Sequence, residues 1–134
     1  AWAITGDTWS RIYALCGVGR AEMGLGRSDA ALGRFREALG LAVSSARRDT
    51  ESLPVACIAH LAASAGHPAL AARLAEVLLA SPLTWNETRQ WVSALTPNRR
   101  EIGLEERAGL INRLHQTTGE TVETWLAAAE AATA

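Results

Sequence analysis

Residues 26–38 read GRSDAALGRFREA, and residues 66–78 read GHPALAARLAEVL. Each stretch opens with a glycine and then places apolar residues at steps of three and four. Glycine commonly ends a helix because it adopts the left-handed conformation without steric penalty, and apolar residues at those steps share one face of a helix. Each stretch therefore predicts the turn and the second helix of a helical hairpin.

The two stretches form an internal repeat. From position 26 to position 66 is 40 residues, and aligning the two glycines brings positions of related volume and phase into register. Small residues are needed where two helices cross closely, and larger ones where the next hairpin is met. The matched positions are Ala31 with Ala71, Phe35 with Ala75, Ala38 with Leu78 and, upstream, Leu15, Val18 and Gly19 with Val55, Ile58 and Ala59.

The rest of the chain also favours helix, so we predict an all-α fold of antiparallel hairpins. Alanine, leucine, glutamate and arginine dominate, and no alternating run of β-branched residues occurs. We predict one domain over residues 1–134, in which 1–95 form two repeat hairpins and a short helix and 98–134 form C-terminal capping helices, about seven helices in all. The first five are expected near residues 8–25, 29–47, 52–66, 68–80 and 85–95, the first capped by Asp7 or Thr8.

Charge and composition argue against several classes of function. The chain has 13 Lys+Arg against 14 Asp+Glu, a formal net charge of −1, so it lacks an overall positive field for a polyanion. We expect no direct nucleic-acid contact by this domain and no membrane contact. No segment reaches the roughly 20 apolar residues of a membrane helix, and the N-terminus lacks the pattern of a signal peptide. A cytoplasmic location is therefore expected.

The cysteines and histidines do not form a recognisable reactive site. Cys16 and Cys57 lie in apolar helical patterns without CxxC spacing, which predicts two reduced, packed thiols. His60, His67 and His115 have no paired Asp, Glu or Cys at ligand spacing. We therefore expect no enzyme activity, no catalytic residue, no metal and no cofactor. The missing initiator methionine suggests a fragment of a larger protein.

The first hairpin resembles the tetratricopeptide repeat. That repeat has a large apolar residue, Leu-Gly, an aromatic, a turn glycine, Ala, Phe and Ala at fixed steps, and Glu22 stands here where the aromatic is expected; the second copy has Ala62 and Ala75 at its two aromatic positions. The period of 40 also exceeds the usual 34. The resemblance implies hairpins stacked as a right-handed superhelix that mediates protein–protein contacts. The matching residues are Leu15, Val18, Gly19, Gly26, Ala31, Phe35 and Ala38.

The sequence of residues 65–74 and 85–89 also resembles C-terminal regions of LuxR-like and related ATPase-type bacterial transcription regulators. That similarity implies the sensory or self-association arm of such a regulator. The expected function is a noncatalytic protein–protein interaction scaffold.

In stacked hairpins of this family the first helix of each lines the concave face. By helical phase, the residues expected to bind a protein or peptide partner there are Tyr13, Cys16, Arg20, Met23 and His60. The competing interpretation is that the C-terminal helices fold across this face as a cap. Trp2 and Trp9 precede the first complete hairpin, so they are candidates for an edge interface and a homodimer.

Two other functions stay open from the sequence. The first is a small-molecule effector domain, with a pocket between the concave face and the C-terminal helices near Tyr13, Arg20, Met23 and His60. The second is a helical enzyme or nucleic-acid module, which ranks last. An enclosed apolar cavity favours the effector domain, whereas an open groove favours the interaction scaffold.

Overall fold

A computed structural model of the chain describes residues 4–45, 48–80, 84 and 86–95. These residues form helices and turns, which confirms the all-α prediction for the described part of the chain. The predicted sixth and seventh helices, and the capping region 98–134, lie outside the described residues. The helices are α1 (Ile4–Gly24), α2 (Ser28–Ser44), a short 3₁₀ helix (Arg48–Glu51), α3 (Ser52–Ser64), α4 (Pro68–Ala80) and α5 (Asn86–Ser93).

Each hairpin turns at a glycine in the left-handed region, with φ of +78° at Gly26 and +88° at Gly66. Only glycine reaches this conformation without steric cost, and it lets the backbone fold back on the helix that has just ended. The hydrogen bonds of the two turns also repeat at 40 residues. They run from the Arg27 N–H to the Glu22 carbonyl and from the His67 N–H to the Ala62 carbonyl, at 2.8 Å each.

The second helices begin in the same register. The Ala31 N–H bonds the Arg27 carbonyl at 3.0 Å, and the Ala71 N–H bonds the His67 carbonyl at 3.1 Å. Pro68 opens α4, where a missing N–H costs nothing because first-turn amides have no partner inside the helix. The predicted repeat of turn and helix is therefore present in the backbone of both hairpins.

The first hairpin closes through Phe35 of α2 and Gly19 of α1. Phe35 is fully buried, and its ring lies against Gly19 so closely that a Cβ at Gly19 would overlap the ring. Gly19 therefore sets how closely α1 and α2 approach. In the second hairpin the equivalent pair, Ala59 and Ala75, is also buried, so two small side chains replace the glycine and the ring.

Helix α3 lies at the centre of the described fold, in contact with α1, α2, α4 and α5. Most of its residues are buried, which matches its high apolar content. The core extends from α3 into both second helices. Its largest fully buried side chains are Phe35, Ile12, Leu32, Leu39, Ile58, Leu61, Leu70, Leu74 and Val55.

Arg89 of α5 joins this short helix to the end of α4. Its Nη1 donates to the Leu79 carbonyl at 2.9 Å, and its Nε donates to the Thr84 carbonyl at 3.2 Å. The last carbonyls of a helix have no partner inside the helix, so one guanidinium bonds the end of α4 and also fixes the chain that leads into α5.

The boundaries differ from the predicted ones by a few residues. Helix α1 begins at Ile4, so Asp7 and Thr8 lie inside its first two turns instead of capping it. Helix α2 ends at Ser44, where Ser45 takes an extended backbone conformation. The 3₁₀ helix Arg48–Glu51 follows and was not predicted, because so short an element has no repeating pattern of apolar residues.

Replacing Gly19 by Ala should lower the free energy of unfolding by about 1–3 kcal/mol, because Phe35 or the α1 backbone must move. The matched change Gly17→Ala should raise it by about 0.5–1 kcal/mol, because a Cβ there meets nothing within 4 Å and alanine favours helix. Urea unfolding of both variants checks the pair; equal effects at the two glycines would contradict the packing described for Gly19.

Candidate functional site

An open groove of about 640 Å³ runs between α1 on one side and α3 with α5 on the other. The α1 side consists of three small residues together with Arg20 and Met23. The opposite side carries an imidazole, a hydroxyl and an indole. The lining residues are Gly17, Arg20, Ala21, Met23, Gly24, His60, Ser64 and Trp91.

His60 fixes α5 against α3. Its Nε2 lies 2.9 Å from the backbone carbonyl oxygen of Trp91; a carbonyl only accepts, so Nε2 carries the proton and donates. The imidazole also stacks on the Trp91 ring, with ring centroids 4.1 Å apart and planes inclined by 15°. The Trp91 carbonyl belongs to the last turn of α5, where helix carbonyls need an outside partner. His60 therefore supplies both a bond and a contact surface.

Arg20 extends from α1 to the same indole. Its guanidinium carbon lies 4.6 Å from the centroid of the Trp91 ring, within the range of a cation–π contact. Among the residues that the structure describes, no carboxylate forms an ion pair with Arg20. The groove thus contains a positive charge that an aromatic ring holds in place and that no described anion neutralises.

Two glycines leave room for larger side chains on the α1 side of the groove. A Cβ built on Gly17 or Gly24 meets nothing within 4 Å, and neither glycine has the positive φ that would require glycine. Glycine inside a helix costs about 0.5–1 kcal/mol relative to alanine. Packing among the described residues therefore does not require glycine at these two positions.

The structure brings Arg20, Met23 and His60 together, as helical phase predicts for one face of the hairpins. Tyr13 is 63% exposed and does not line the groove; it packs edge-on against Trp9 at a centroid distance of 5.9 Å. Trp9 itself is partly buried against the core. Trp2, the other predicted edge residue, lies outside the described residues.

Cys16 differs from its predicted place on the partner-binding face. It is 1% exposed and packs inside the core, because α3 covers that side of α1. Interaction with the Cys16 thiol, together with burial, raises the pKa of the Cys57 thiol of α3 well above its usual range. Both cysteines are free thiols, as the sequence predicts.

Five of the groove residues were not predicted from the sequence, and among them Trp91 is the one whose ring contacts both Arg20 and His60. The pattern of Trp85, Thr88, Val92 and Leu95 predicts the packed face of the fifth helix, and Thr88 and Val92 are indeed buried. Trp91 lies beside that face, where one turn of α5 brings it over α3. A tryptophan adjacent to a buried stripe was the available signal, since such rings often combine a packed edge with an exposed one.

The groove offers contacts for binding, namely a guanidinium, a hydroxyl and a stacked imidazole and indole. No group of three or more His, Cys, Asp or Glu among the described residues is placed to hold a metal ion. None of the described helices has the length and apolarity needed to cross a membrane.

Comparison of the chain with protein-family models, curated proteins and solved structures gives no match.

His60 should make stability depend on pH. Burial lowers the pKa of His60 below its ordinary value of 6.5, the Arg20 charge lowers it further, and the hydrogen bond to the Trp91 carbonyl opposes them. The neutral form is therefore favoured in the folded state. The contribution of neutral His60 to the free energy of unfolding is fully present above the pKa that His60 has in the unfolded chain. That contribution is lost as the pH falls from there through the lower pKa that His60 has in the folded chain.

Urea midpoints measured from about pH 8 to about pH 5 should fall more steeply for the native chain than for His60→Gln, because glutamine does not titrate in that window. The other titrating groups are common to both proteins, so the difference between the two curves isolates His60. Parallel curves would show that protonation of His60 does not oppose folding.

Proposed function

We propose that this chain is a noncatalytic interaction scaffold that binds a segment of a partner protein in the groove between α1, α3 and α5. The observation that carries the proposal is the groove itself, in which the Arg20 guanidinium and the His60 imidazole both contact the Trp91 ring. Apolar and aromatic surface supplies contact area in such a site, and a few placed polar groups orient the ligand.

The open shape of the groove supports a chain segment over an enclosed small molecule. A small-molecule pocket typically buries most of its ligand's surface, whereas this groove, as the described residues form it, is an open one. Its sides belong to separate helices of two hairpins, so it follows the junction between them. This groove is not the enclosed cavity that the effector-domain alternative predicts.

Within this proposal the hairpins form a tetratricopeptide-like right-handed superhelix, and the chain is an arm of a bacterial transcription regulator. The repeated turns at Gly26 and Gly66 support the superhelix. The regulator setting has support only from the sequence resemblance of residues 65–74 and 85–89. Such a domain would recognise its partner through the shape of its surface, because rigid stacked helices present a fixed surface.

Selection of a random phage-displayed peptide library on the native chain tests the groove. Selected peptides should bind Gly17→Leu and Arg20→Gln at least about tenfold more weakly than the native chain, a loss of about 1.4 kcal/mol. The leucine side chain fills the groove, and the glutamine removes its positive charge. Binding is measured by fluorescence anisotropy or calorimetry.

Gly33→Leu is the matched control, because Gly33 is exposed on α2, away from the groove, and a Cβ there also meets nothing within 4 Å. Both leucines favour helix over glycine, so neither variant should unfold more easily than the native chain, and only the groove variant should lose peptide. Failure to select any peptide, or equal binding by Gly17→Leu and the native chain, would reject the groove as the site.

A further inference from the structure

Arg20 supplies the positive charge of the groove. Among the described lining residues it is the only one with a formal charge at neutral pH, because the lowered pKa of His60 keeps the imidazole neutral. The other lining residues are apolar or carry a hydroxyl or an aromatic ring. The groove therefore presents one positive charge, which one carboxylate balances, whereas a phosphate group would bring close to two negative charges.

The contact with Trp91 does not use the hydrogen-bond donors of Arg20. The guanidinium carbon lies 4.6 Å from the centroid of the indole ring, and the attraction there is between the positive charge and the ring face. A guanidinium also has five N–H donors, and no described residue forms a hydrogen bond or an ion pair with those of Arg20. A carboxylate accepts two such donors side by side in a charge-assisted contact.

Two other arginines of the first hairpin have carboxylate partners inside the fold. Arg11 lies 3.6 Å from Glu37, and Arg34 lies 2.9 Å from Glu22. The whole chain has one more acidic residue than it has basic ones, 14 against 13, so the charge of Arg20 does not belong to a general excess of positive charge. It is a local feature of the groove, and no described carboxylate neutralises it.

A glycine lies one helical turn away from Arg20 in each direction along α1. Gly17 precedes Arg20 by three residues and Gly24 follows it by four, and such steps bring residues onto one face of a helix. A Cβ on either glycine meets nothing within 4 Å. The seven residues from one glycine to the other span about 10 Å of helix, a length that about three residues of extended chain cover. Side chains just before and just after one that reaches Arg20 therefore have room against α1.

We infer that the partner segment is acidic: an aspartate or glutamate of the segment pairs with Arg20, and apolar side chains within two positions on each side fill the space over Gly17 and Gly24. This inference rests on the proposed peptide binding, because it names the chemistry of the segment that the groove takes. A neutral segment would remove water from the Arg20 charge without replacing it. The groove should therefore discriminate against neutral segments.

The sequences of the phage-selected peptides and a double-mutant cycle test this inference. Peptides that bind the native chain and lose affinity for Gly17→Leu should share an aspartate or glutamate between apolar residues. Changing that carboxylate to its amide should weaken binding to the native chain about tenfold, and binding to Arg20→Gln by less than about twofold. The carboxylate has no guanidinium to pair with in the variant. Fluorescence anisotropy measures the four dissociation constants.

Charge reversal supplies a gain of binding that a misfolded variant cannot give. Arg20→Glu should bind the acidic peptide at least about tenfold more weakly than the native chain, and should bind a peptide with lysine in place of the acidic residue more tightly than the native chain does. Arg27→Gln is the matched control, because it removes an exposed arginine of the same hairpin that does not line the groove. Its dissociation constants for both peptides should stay within about twofold of the native values.

Failure of this inference is distinguishable from failure of the proposed peptide binding. Peptides that are sensitive to Gly17→Leu but contain no aspartate or glutamate would overturn the acidic segment and leave the groove as a binding site. An equal loss from the amide on the native chain and on Arg20→Gln would place the carboxylate on a different group, and would overturn the inference in the same way. If no selected peptide is sensitive to Gly17→Leu, the groove is not the site and both proposals fail.

Discussion

The left-handed backbone at Gly26 and Gly66 is the constraint on which the described fold depends. Each glycine reverses the chain within a few residues, so the next helix must pack against the one before it. Because the two turns share one hydrogen-bond pattern, the second helices begin in the same register. Helix α3 then lies between the two second helices, and its position determines where α5 docks and where the groove forms.

Much of this fold is readable from the sequence because glycine turns and apolar spacing are local signals. The ends of α1 and α3 and the starts of α2 and α4 follow from Gly26, Gly66 and Pro68. The start of α1 does not follow from the sequence in this way, because Asp7 is favourable both as a cap and inside a first turn. The 3₁₀ helix Arg48–Glu51 was missed because four residues show no period.

The candidate site was predictable within single helices and, through the repeat, between α1 and α3. Helical phase correctly groups Arg20 with Met23, and the repeat relates Arg20 to His60 of α3. Phase also placed Cys16 on this face, but the packing of α3 buries it. Trp91 reaches the groove through the crossing of α5, which depends on bonds made by Arg89 and His60 to helix ends. Such long-range capping has no signature in local sequence.

The contact between Cys16 and Cys57 has a chemical consequence for how the hairpins separate. Thiolate is the form that alkylating reagents attack, and the raised pKa of Cys57 leaves almost none of it at neutral pH. Both sulfurs are also shielded from solvent while α1 rests on α3. Modification by iodoacetamide must therefore wait for α1 to lift away, so its rate follows the opening of the hairpin junction.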